Sequence, residues 1–143
     1  QNDSSVARYM LELGDSQSNG VSRNVTLDGF ELVRNAGIAS TMIYIHSNTA
    51  VELSNFVSSE TTGYNVISTP NDANVKKIRV NGHIAKGAGQ ATIALNGSEH
   101  SIKNCENTAV NLGSGCSNTV VENIGTGSYV QLQGSNSDIT VIN

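Results

Sequence analysis

Apolar and polar residues alternate over short stretches along this chain, and the alternation keeps restarting. In SRNVTLDGFELVRN, residues 22–35, Val25 and Leu27 alternate with polar neighbours, Asp28-Gly29 follows, and Phe30 resumes the pattern. A period of two over so few residues predicts a β-strand with one buried face. Asp-Gly after such a strand ordinarily signals a hairpin. The frame recurs, however, as apolar, x, apolar, x, Gly or Asn, bulky. It returns at Val51-Glu-Leu53-Ser-Asn55-Phe56, Ile78-Arg-Val80-Asn-Gly82-His83, His100-Ser-Ile102-Lys-Asn104-Cys105 and Thr119-Val-Val121-Glu-Asn123-Ile124, and it begins again at Ile139-Thr-Val141-Ile-Asn143. The fifth positions are 29, 55, 82, 104, 123 and 143, spaced by 26, 27, 22, 19 and 20 residues. Gly and Asn tolerate the left-handed backbone best. The repeat therefore predicts a strand that turns a corner at 29, 55, 82, 104 and 123 and keeps winding, where a hairpin would reverse.

A second alternating strand is predicted between the copies, at Tyr9–Leu13, Ile43–Ile45, Tyr64–Val66, Ile93–Leu95, Val110–Leu112 and Val130–Leu132. With the short segment after each bend, every repeat holds three short strands. Periodic units of this length describe a solenoid. Parallel coils place equivalent residues about 4.8 Å apart. Phe30, Phe56, His83, Cys105 and Ile124 should form one inward stack, and Asn55, Asn104 and Asn123 part of an amide ladder.

Composition supports this reading. The chain has 143 residues, 14 of them Gly, a single Pro and no Trp, and it is rich in Asn, Ser and Thr, the residues of turns and strands. Its formal net charge is −4 with only 14% charged residues, so no nucleic-acid surface is expected. No run has the length of a membrane span, and the opening QNDSSVARY has no apolar leader segment. Cys105 and Cys116 match no disulfide framework or zinc spacing and are expected to be unpaired thiols, Cys105 buried.

The bend repeat resembles the right-handed, single-stranded parallel β-helix of pectate-lyase-like proteins and bacteriophage tail spikes. The fold class expected is all-β, with about six coils of three short strands in one domain, 1–143, cut from a longer chain. The resemblance implies a shaft segment of a phage tail spike or related appendage. Such a segment would be assembled as a homotrimer on the virion and would bind, and in some cases degrade, a bacterial surface polysaccharide or teichoic-acid-like polymer. A secreted polysaccharide lyase or hydrolase is the enzymatic alternative, and an adhesin segment with no site of its own is the structural one. Lyases of that group commonly hold Ca²⁺ through clustered Asp; this chain shows no such cluster, so no cofactor or metal is expected.

No GxSxG, HExxH, CxxC or P-loop motif is present. On a β-helix, chemistry comes from outward side chains of neighbouring coils. Glycoside hydrolysis needs two carboxyl groups, about 5 Å apart for retention or about 6.5–9.5 Å for inversion. One outward row should be Thr26, Glu52, Arg79, Ser101, Val120 and Thr140, with Asp28, Ser54, Asn81, Lys103 and Glu122 beside it. Asp28 and Glu52 on adjacent coils are the candidate catalytic pair, and Arg79 the candidate ligand for a substrate carboxylate or phosphate. The competing reading is a solvated face whose charges pair across coils, Glu52 with Arg79 and Lys103 with Glu122. The first strand should present Glu12, Tyr44, Ala94, Asn111 and Gln131, with His46 and Tyr129 nearby. Tyr44, His46 and Tyr129 are the further substrate-binding candidates, because rings stack on sugars while amides bond hydroxyls. His83 and His100 fall at inward positions and are expected to be core histidines.

Overall fold

The computed structural model describes residues 9–14, 23–33, 41–59, 65–86 and 90–143. In chain order its strands are β1 (Tyr9–Leu13), β2 (Arg23–Asp28), β3 (Glu31–Val33), β4 (Thr41–Ile45), β5 (Thr49–Ser59), β6 (Asn65–Ser68), β7 (Ile78–Lys86), β8 (Ala91–Leu95), β9 (Ser101–Cys105), β10 (Thr108–Leu112), β11 (Ser117–Ile124), β12 (Tyr129–Leu132) and β13 (Ser137–Ile142). Every strand pairing among the described residues is parallel. One sheet runs β1-β4-β6-β8-β10-β12 and the other β2-β5-β7-β9-β11-β13, with β3 beside β5. Apart from β3, which follows β2 in the same sheet, consecutive strands alternate between the sheets, which makes a parallel β-solenoid of about four turns. About six coils were expected, a slightly higher count than the structure has; connections 15–22, 34–40, 60–64 and 87–89 fall outside the described residues.

The register builds the core from columns. Leu27, Leu53, Val80, Ile102, Val121 and Val141 stack in one sheet, and Leu11, Ile43, Ile67, Ile93, Val110 and Val130 in the other. The central members are fully buried, each contributing about 1.5–3 kcal/mol. The expected inward stack forms. Phe30 and Phe56 lie parallel with centroids 4.8 Å apart, Phe56 and His83 at 4.5 Å, and Cys105 pairs with Ile124 in the next rungs. Both cysteines are buried and unpaired. Burial pushes the Cys105 thiol up to about 11 and raises Cys116, which sits under its turn with Sγ 3.2 Å from Leu95 O.

All five predicted bends have the left-handed backbone: φ is 65° at Gly29, 51° at Asn55, 79° at Gly82, 54° at Asn104 and 51° at Asn123. The amide ladder differs from expectation. Asn123 donates to Asn104 and Asn104 to Asn81, each at 2.6 Å, so the run steps back one residue where Gly82 has no side chain. Asn55 does the same at Gly29, donating to Asp28 Oδ1 at 2.8 Å. Wherever Gly takes the corner, the preceding Asp or Asn supplies the missing acceptor.

Two strand expectations are corrected. Tyr64 lies outside the described residues, and Ile67 rather than Val66 aligns with Ile43 and Ile93, because a bulge between Asn65 and Ile67 absorbs one residue. The third strand exists as β3 and as the far ends of β5 and β7. It then shrinks to one bridge, Ile84 to Glu106, because the later coils turn at once through Asn107 and Gly127, both at positive φ.

Candidate functional site

The pleat of the second sheet points Leu27, Leu53 and Val80 inward and Thr26, Glu52 and Arg79 outward. The register sets Thr26 beside Glu52, Glu52 beside Arg79, and Arg79 beside Ser101. The predicted outward row is therefore real. It borders an open groove of about 360 Å³ lined by Asn24, Thr26, Ala50, Glu52, Lys77 and Arg79, among others. The groove crosses β2, β5 and β7, which spans about 10 Å along the solenoid.

Among the described residues, Glu52 and Arg79 form no ion pair, although they are register neighbours; Lys103 and Glu122 do, at 2.6 Å. The charge-pairing reading therefore holds for the second couple and fails for the first. Lys77 joins the groove and was not predicted. It sits at φ 60°, a conformation uncommon for lysine, and only the register reveals that it aligns with Glu99, Asn118 and Asp138, left-handed residues of the following coils.

Asp28 lies beside Ser54, one pair further along the strand than Thr26 and Glu52. It faces outward next to the groove without lining it. Its Oδ1 accepts from Ser54 Oγ at 2.6 Å and from Asn55. Those two hydrogen bonds hold its carboxyl below the usual range, so it stays ionised.

On the first sheet, Glu12, Tyr44, Ser68, Ala94, Asn111 and Gln131 form one row. Ser68 belongs in it and was missed because the bulge hid its alignment. Tyr44 stacks on Tyr9 at 4.4 Å and meets His46 edge-on at 5.0 Å. His46 Nε2 lies 2.5 Å from Glu12 Oε1. Burial, then Tyr9 and Glu12, raise the Tyr44 hydroxyl pKa. Tyr129 is exposed and pairs with Ala109 on β10. Three strands, β6, β8 and β10, separate its strand from that of Tyr44, about 19 Å. Tyr44 and His46 thus come together, and Tyr129 stands apart.

His83 and His100 are core residues, as expected. Thr108 gives its hydroxyl proton to Glu106 O, so it accepts from His83 Nδ1, and Ser58 Oγ donates to His83 Nε2 at 2.8 Å. The neutral ring is satisfied on both sides, and burial pushes its pKa down to about 4. His100 Nε2 donates to Asn96 O and Nδ1 accepts from Ile78 N. No group of three or more His, Cys, Asp or Glu able to hold a metal occurs among the described residues, and no described helix is long and apolar enough to cross a membrane.

The fold and groove define the class: a parallel β-solenoid that presents polar side chains in fixed rows across neighbouring coils. Comparisons with protein families, with curated proteins and with solved structures found no match.

Proposed function

We propose that this chain is a β-helix shaft segment of a phage tail spike or similar extracellular appendage, and that it binds a bacterial surface polysaccharide or teichoic-acid-like polymer along its second sheet. The observation that carries this reading is the groove across β2, β5 and β7, where Glu52 and Arg79 stand side by side without pairing. A solvated face would let such neighbours neutralise each other; unpaired charges set among Asn24 and Thr26 are available to hydroxyls and oxyanions. Binding is favoured over cleavage. Asp28, the second carboxylate a hydrolase needs, stands beside the groove without lining it, and Ser54 and Asn55 already occupy its Oδ1. The reading includes a homotrimer, for which exposed Val33 and Ile84 beyond the bend, beside Glu31, Lys86 and Glu106, offer an apolar patch with a charged rim.

The test is a panel of capsular and cell-wall polymers, assayed for binding and for new reducing or unsaturated ends. The expected result is binding that Arg79→Ala and Glu52→Gln weaken. New chain ends that vanish in Asp28→Asn and Glu52→Gln would establish hydrolysis by that pair instead. Binding indifferent to Arg79 and Glu52 would remove the groove from the account. Light scattering that gives a monodisperse monomer would exclude the trimer.

A further inference from the structure

A second concavity, of about 210 Å³, opens on the first sheet and the turn that follows it. Four carboxamides, Asn65, Asn96, Asn111 and Gln133, line it with Ala94 and Gly113, and none of its lining residues is charged. We propose that this cleft binds one neutral sugar ring through its hydroxyl groups, at a site separate from the charged groove.

Three features build the site. Asn111 lies in the outward row between Ala94 and Gln131, and the short Ala94 side chain gives the cleft its depth. Asn111 Oδ1 is buried and has no hydrogen-bond partner in the protein. A buried acceptor left so costs about 1–3 kcal/mol, which a ligand donor would recover once the Asn111 carboxamide turns that oxygen into the cleft. Asn96 is held in place: its backbone N donates to Thr69 Oγ1 at 2.9 Å, its Nδ2 to Thr69 O at 3.4 Å, and its carbonyl accepts from His100. Its Oδ1 occupies the space where a Cβ on Gly113 would stand. A Cβ at position 113 would therefore push that amide aside, while the Gly113 backbone itself has no left-handed φ that demands glycine.

The chemistry selects the ligand. Each carboxamide offers both donors and an acceptor, and a hydroxyl also does both. With no charge in the lining, nothing favours a carboxylate, phosphate or ammonium. The class of ligand rests on the glycan reading above, while the residues lie on another sheet, so the two can fail separately.

The experiment is NMR of the uniformly labelled chain, following side-chain amide resonances during titration with glucose, galactose, N-acetylglucosamine and their short oligomers. Shifts confined to Asn65, Asn96, Asn111 and Gln133, saturating in the millimolar range, are expected. Asn111→Leu, which removes the acceptor, and Gly113→Ala, which displaces the Asn96 amide, should each weaken binding about fivefold to tenfold. Arg79→Ala should leave the shifts unchanged. Retained backbone spectra in each variant exclude misfolding as the cause. A cleft that holds only water shows no saturable shifts with any saccharide, and that result overturns the proposal, as do shifts that map elsewhere or survive both variants. If polymers fail to bind while these shifts persist, the groove reading falls and the cleft stands.

Discussion

His83 shows how a single residue links packing to pH. It fills an aromatic stack beneath Phe56, fully buried, with a hydroxyl on each ring nitrogen. Its folded pKa is depressed from 6.5 to about 4, so between those values the unfolded chain binds the proton more readily. Stability from this residue is complete above the unfolded value and is lost as pH falls toward about 4, by about 3 kcal/mol in all. His100 acts in the same direction. Below that window, Asp28 and Asp72, the latter held by Ser47 Oγ at 2.6 Å and Asn74 N at 2.8 Å, lose the hydrogen bonds that keep them ionised. Denaturant titrations at stepped pH should show the loss, and His83→Phe should flatten most of it between pH 6.5 and 4; an unchanged slope would contradict the buried neutral ring. The inward position of His83 was legible because it recurs where Phe30 and Phe56 stand. Its tautomer was not, since Ser58 and Thr108 lie a coil away on either side.

At the scale of the element, the bend does two jobs that one sequence position encodes. The residue must accept a left-handed backbone, and where it is Asn its amide extends the ladder between coils. The two separate by substitution. Asn104→Gly keeps the conformation and loses the ladder contacts, whereas Asn104→Ala loses both. Alanine should therefore cost about 1 kcal/mol more than glycine, read as the difference in unfolding free energy. Equal costs would mean that the backbone strain is negligible. The bend column was visible because Gly and Asn advertise left-handed φ. The second column, Lys77, Glu99, Asn118 and Asp138, was hidden because two of its members are residues that rarely adopt it. There the rung above dictates the conformation, with Glu99 N bonded to Ser117 O and Lys77 N to Ser98 O. Glu99→Gly should consequently stabilise the chain by up to about 1 kcal/mol; destabilisation would show that the Glu99 side chain earns its place. The groove was half legible for the same reason. Glu52 and Arg79 follow from the pleat, while Lys77 enters only through that hidden column.

For the whole molecule, stacking makes stability a matter of neighbours. Each rung touches the rung before and the rung after, so a solenoid approximates a one-dimensional array. Ile93 is fully buried between Ile67 and Val110, and Ile93→Ala should cost about 2–5 kcal/mol. Ile139 lies in the last rung with a neighbour on one side only, beside exposed Val141 and Ile142. Its truncation should cost less than half as much. The same asymmetry governs hydrogen exchange in the 143-residue chain. Amides of β8 and β9 have strands on both sides, while β12 and β13 end their sheets. Exchange should be slowest in the central rungs and accelerate toward β12 and β13, because opening the last rung breaks one interface and opening a central rung breaks two. Assembly through the Val33 and Ile84 face would leave that gradient intact, since the patch lies on the flank of the early coils. Covering the final rung with another strand would abolish it. A gradient present at every protein concentration therefore identifies the end as uncovered in this chain, and uniform protection would show that the coils unfold together as one cooperative block.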